Sequence, residues 1–131
     1  MSFKADIQYA IEVARGAGQI VRSRYGKVER LTKTHQAASN EAVTMADRES
    51  QAYIVRELRK RFPNDGIIGE ESDTGLDITF ECPDPKGRVW VIDPIDGTNN
   101  FIAGLDYFAV CIGLLDGGIP VGGIVYDVCR G

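Results

Sequence analysis

Helical periodicity in this chain stops at Pro63, and every apolar segment beyond it is short; this one-way order, helices first and strands after, restricts the fold most. From Asp6 to Tyr25 the residues Ile7, Ala10, Ile11, Ala14, Ala17, Gly18 and Val21 recur at helical spacing, and Gly26 stands where helices often stop. The stretch from Lys27 to Glu41 is polar and irregular and reads as a loop. A second helix begins near Thr44. Thr44 and Asp47 are spaced like a capping box with Asp in place of Glu, and Ile54, Leu58 and Phe62 mark one face.

Asn64-Asp65-Gly66 makes a turn after Pro63. Ile67-Ile68 and Val89 through Ile92 then read as short strands, and the segment from Ser72 to Gly87, with Pro83 and Pro85, as a loop or flap. Phe108 to Leu115, the turn Asp116-Gly117-Gly118, and Val121 to Tyr126 form a β-hairpin. The expected fold class is therefore α+β: two helices packed on a mainly antiparallel sheet, not regular βαβ alternation.

A chain of 131 residues supports one core rather than two. Its net charge of −4 argues against nucleic acid as a partner, because phosphate backbones are gripped by basic surfaces. A small phosphorylated substrate is compatible with that charge if divalent cations supply the positive part. The N-terminal MSFKADIQYA has no long apolar stretch, so neither a signal peptide nor a membrane partner is expected. Cys82, Cys111 and Cys129 form no CxxC pair and leave one thiol over, which suits a reducing, cytoplasmic setting. Cys111 lies in an apolar run and reads as a small buried hydrophobe.

Two acidic clusters each follow an apolar strand: Gly69-Glu70-Glu71-Ser72, and Asp93-Pro94-Ile95-Asp96-Gly97-Thr98 after Trp90-Val91-Ile92. Gathered carboxylates repel one another, and divalent cations remove that cost. Oxygen-only ligands suit Mg²⁺, with Mn²⁺ as a substitute; His35 and the scattered cysteines cannot build a typical zinc site. Pro94 fixes one backbone angle and Gly97 permits a tight turn, so one short segment can aim Asp93, Asp96, the Ile95 carbonyl and the Thr98 hydroxyl at a common point. A helix starting near Thr98 would offer backbone N–H groups to a phosphate. Asp47 suits a capping role at the start of the second helix as well as a catalytic one.

Asp93-Pro-Ile-Asp-Gly-Thr-Asn-Asn-Phe101, with Gly69-Glu-Glu-Ser72 upstream and Val43-Thr-Met-Ala-Asp47 before that, resembles the signature of the inositol monophosphatase family of magnesium-dependent, lithium-sensitive phosphatases. The resemblance implies a sugar-phosphatase-like layered fold, of which residues 1–131 are the N-terminal, metal-binding half. It implies that Glu70, Asp93 and the Ile95 carbonyl ligate a first Mg²⁺, and that Asp93 and Asp96 ligate a second. Asp47 would accept from the Thr98 hydroxyl, which orients the attacking water, with Glu70 completing the catalytic set. Ile95, Asp96, Gly97 and Thr98 would contact substrate, the phosphate resting on the Gly97 and Thr98 amides.

The implied reaction is hydrolysis of a small phosphomonoester, an inositol or related sugar phosphate, by a homodimer in the full-length form. Bisphosphate nucleotidase or fructose-bisphosphatase-like activity, or metal binding without turnover in an assembly fragment, are the alternatives. The family Lys ahead of the second helix has no counterpart here: that neighbourhood reads His35-Gln36-Ala37-Ala38, with Lys33 the nearest basic residue. The second half, with its further ligating Asp, is expected to be absent.

Overall fold

The computed structural model describes residues 3–25, 35–69, 79–81 and 86–131. Helix α1 spans Lys4–Arg24 and buries Ala10, Val13, Ala14, Ala17, Gly18 and Val21, an i, i+3, i+4 stripe of small and branched residues. Small side chains let its neighbours come close. A Cβ on Gly16 would lie 2.1 Å from the Tyr53 hydroxyl oxygen, and one on Gly18 would lie 2.4 Å from the Tyr126 ring. Asp6 in the first turn and Arg22 and Arg24 in the last suit the helix dipole.

Helix α2 spans His35–Arg61. The expected loop therefore ends early, because residues 35–41 are already helical. The run Gln36-Ala-Ala-Ser-Asn-Glu-Ala contains neither Gly nor Pro and has adequate helix propensity without an apolar period, which is why periodicity alone misses it. Thr44 consequently lies inside the helix, and neither the capping box nor an end-capping role for Asp47 survives.

Five strands follow in a single sheet of order β2-β1-β3-β4-β5, with β1 at Gly66–Gly69, β2 at Thr79–Glu81, β3 at Arg88–Asp96, β4 at Ala109–Asp116 and β5 at Ile119–Asp127. Strand β1 runs parallel to β3, and the other pairings are antiparallel. The sheet is thus α+β and mainly antiparallel, as expected. Strand β2 lies within the segment expected to be a loop, and β3 continues past Ile92 through the acidic motif. The β4–β5 turn places Gly117 and Gly118 at φ 60° and 83°, the left-handed backbone that tight hairpins need. A short helix, α3 (Thr98–Ala103), leaves the end of β3.

Both long helices pack on one face of the sheet. That face presents Trp90, Ile92, Val110, Ile112 and Leu114, all buried. The alternate residues point the other way, and there Val91 is 39% and Val125 76% exposed. At the end of the sheet opposite the acidic motif, Arg88 fastens the layers. Its Nε donates to Asp65 at 3.1 Å, its Nη1 donates to Asp6 at 2.5 Å, and its guanidinium lies 5.1 Å from the Phe62 ring centroid. The Trp90 indole N–H shares the same Asp65 oxygen at 2.9 Å.

Candidate metal and phosphate site

The acidic motif owes its geometry to an irregularity between β3 and β4. Asp93 pairs with Cys111 and Asp96 pairs with Ala109, so Pro94 and Ile95 together oppose the single residue Val110. This is a β-bulge, and Pro94 fits it because a proline has no N–H to give to the ladder. In an unbroken strand, residues three apart face opposite sides. The extra residue cancels one alternation, so Asp93 and Asp96 share the sheet face of Cys111 and Ala109, away from α1 and α2. Ile95 points inward and is only 3% exposed, anchoring the bulge in the core.

On that outer face lies an open trough of about 510 Å³, lined by Ile68, Gly69, Val91, Asp93, Cys111 and Val125 among others. Beside it is a notch of about 210 Å³ between Asp96 and Asp127, floored by Ala109 and flanked by Asn100 and Tyr107. Asp96, Ala109 and Asp127 form one row across three strands. The Cys111 thiol is pushed up first by burial, then by the negative charges of Asp96 and Asp93. The oxygens of Asp93 and Asp96 are hard donors, fitted to Mg²⁺ or Mn²⁺ rather than to a thiolate-seeking metal.

Gly97 carries the chain from β3 into α3 at φ 95°, ψ 40°, and a Cβ there would sit 3.0 Å from the Tyr107 carbonyl oxygen. Its carbonyl accepts the first hydrogen bonds of α3, from Asn100 at 3.0 Å and Phe101 at 3.1 Å. The Gly97 and Thr98 amides precede that hydrogen-bonded turn. The Asn100 side chain donates to the Tyr107 carbonyl at 2.8 Å and closes the loop behind α3.

Of the residues expected at the site, Asp93, Ile95, Asp96, Gly97 and Thr98 follow one another on the bulge and its turn. Asp47 is 6% exposed on α2, a helix that contacts both β3 and α3. Glu70 and Glu71 lie outside the described residues; β1 ends at Gly69, in register with Ile92. Among the described residues no group of three or more His, Cys, Asp or Glu side chains is placed to hold a metal. Ser50, Cys111 and Asp127 border the motif and were not marked as site residues. Their only sequence signals are that Ser50 falls three residues after Asp47, and that Cys111 and Asp127 lie on the hairpin strands.

A two-helix layer on a mainly antiparallel sheet, with two carboxylates at a strand-end bulge, is a layered α+β architecture. The chain belongs to the inositol monophosphatase family, whose sequence model matches residues 4–131. It is 37% identical to the histidinol-phosphatase of Chlorobaculum parvum over 89% of this chain and 42% of that one. It is 35% identical to the fructose-1,6-bisphosphatase/inositol-1-monophosphatase of Thermotoga maritima, over 92% of this chain and 43% of the relative. The crystal structure of the extragenic suppressor protein suhB from Bartonella henselae superposes with a TM-score of 0.75 at 30% identity, covering 96% of this chain and 45% of that one. The chain thus spans less than half the length of these relatives. No helix among the described residues is long and apolar enough to cross a membrane.

Proposed function

We propose that this chain carries the cation-binding and water-orienting part of a phosphomonoesterase acting on a small phosphorylated polyol such as an inositol or sugar phosphate. The observation that supports this reading most is the bulge, which sets Asp93 and Asp96 on the same outer face. Glu70, Asp93, the Ile95 carbonyl and Asp96 would hold Mg²⁺, with Mn²⁺ able to replace it. Bound there, a divalent cation supplies Lewis-acid stabilisation of phosphoryl oxygens and acidifies water.

The chain's own groups do the positioning. The Gly97 and Thr98 amides hold a phosphate oxygen. Thr98 passes its hydroxyl proton toward Asp47 as a hydrogen bond and orients the attacking water. Burial of Asp47 at 6% exposure keeps bulk water from competing for that acceptor role. The family relatives carry names for different phosphorylated substrates, histidinol phosphate and fructose bisphosphate among them, so the phosphate-handling part is common and the alcohol part is not.

Two measurements test this reading. Titration with Mn²⁺, followed by its electron paramagnetic resonance signal, is expected to saturate for the wild-type chain and to weaken in Asp93→Asn and Asp96→Asn. Phosphate release from inositol, histidinol and fructose phosphates in Mg²⁺ assigns the alcohol. A wild-type chain with no saturable Mn²⁺ site, or with a tight stoichiometric Zn²⁺ site instead, would sink the proposal.

A further inference from the structure

The buried polar side chains among the described residues are Asp47, Ser50 and Gln51, and all three belong to α2. Positions i, i+3 and i+4 share one helix face. Ile54 and Leu58, fully buried, continue the same stripe toward the C-terminus of the helix. The stripe is therefore apolar over the middle of the sheet and polar over the acidic strand ends. Gln51 packs against Gly69, where a Cβ would lie 2.7 Å from its amide oxygen. Ser50 reaches the bulge itself: its hydroxyl donates to the Pro94 carbonyl at 3.2 Å, within a wholly buried contact.

That carbonyl sits where the β3–β4 ladder is broken. Pro94 and Ile95 oppose one residue of β4, so one residue of β3 is left without a regular ladder partner. A buried carbonyl with no donor costs free energy, and a relaxed bulge would swing the carboxylates on either side of Pro94. We propose, building on the functional reading above, that Ser50 is a positioning residue. Its hydroxyl clamps the Pro94 carbonyl from the helix side and so fixes the angle between Asp93 and Asp96 for one divalent cation. Ser50 touches neither cation nor substrate. It acts through the backbone of the bulge, and it ties that backbone to the helix carrying Asp47.

The test is the Mn²⁺ affinity of Ser50→Ala, Ser50→Thr and Arg88→Met against wild type, with thermal unfolding and amide exchange across residues 95–98 recorded for each. Ser50→Ala removes the donor with little change in volume and is expected to weaken Mn²⁺ about tenfold. Amide exchange at the bulge should rise in the same variant. Ser50→Thr, which keeps the hydroxyl, should recover the affinity. Arg88→Met breaks the ion cluster at the opposite end of the sheet, so it should lower stability and leave Mn²⁺ binding unchanged. Wild-type Mn²⁺ affinity in Ser50→Ala overturns the positioning role while the metal-site reading stands. An equal loss of affinity in Arg88→Met also overturns it, because general destabilisation would then explain the effect. Absence of any Mn²⁺ site in the wild type overturns the functional reading and this role together.

Discussion

Cys111 stands directly across the β3–β4 ladder from Asp93, and its thiol is pushed up to about 11 by burial and by the charges of Asp96 and Asp93. The thiolate is the reactive form, so raising the pKa lowers reactivity at any pH below it. A thiol held near 11 rather than 9.0 has far less thiolate at neutral pH. In the metal-free chain, iodoacetamide at pH 8 should therefore modify Cys111 about tenfold more slowly than an unshifted cysteine, since the scarcer thiolate is also the better nucleophile. Peptide mapping of a timed alkylation reads this directly, and fast labelling of Cys111 would contradict it.

Gly97→Ala tests the turn that leads out of the bulge. A side chain at φ 95° is strained, and its Cβ would press on the Tyr107 carbonyl at 3.0 Å. The expected cost is about 1–3 kcal/mol in urea unfolding, with weaker Mn²⁺ binding as the turn shifts. An unchanged midpoint would show that the turn relaxes without strain.

Arg88→Met removes the clamp at the opposite end of the sheet. Asp6 and Asp65 would keep their charges at side-chain exposures of 20% and 13%, without the guanidinium between them. A loss of about 2–3 kcal/mol is expected, below that for a fully buried pair because Arg88 itself is 24% exposed. Mn²⁺ affinity should not move, since the acidic motif lies at the other end of β3. A stability change under about 0.5 kcal/mol, the range of ordinary surface substitutions, would mean that the cluster is only a surface contact.

Thr98→Ala in the full-length form addresses the proposed chemistry. Under that reading the hydroxyl orients water and does not hold the substrate, so kcat should fall about a hundredfold or more with KM little changed. A large rise in KM with kcat intact would reassign Thr98 to ground-state binding.

What could be read from sequence divides along physical lines. Helix α1 was legible because its buried residues repeat at one period from Ala10 to Val21. The first turns of α2 were not, since the residues from His35 to Glu41 carry propensity without an apolar pattern. Strand β2 escaped because three residues are too few to show alternation. The acidic motif was visible as residue types in order, and Pro94 and Gly97 pointed to converging carboxylates, but the bulge that gives them one face was not visible. That property belongs to the register with β4, a partner strand that the motif itself does not encode. Ser50 was invisible for the same reason: the carbonyl it serves is 44 residues away.

The bulge also separates two properties of the motif that a regular strand would tie together. Delete Pro94 or Ile95 and β3 pairs one-for-one with β4: Asp93 and Asp96, then two residues apart, still lie opposite Cys111 and Ala109 and keep the outer face. What the deletion removes is the extra backbone unit between them, and with it the kink that holds the Pro94 carbonyl toward Ser50. The face of the two carboxylates therefore survives a change of length that their angle and separation do not.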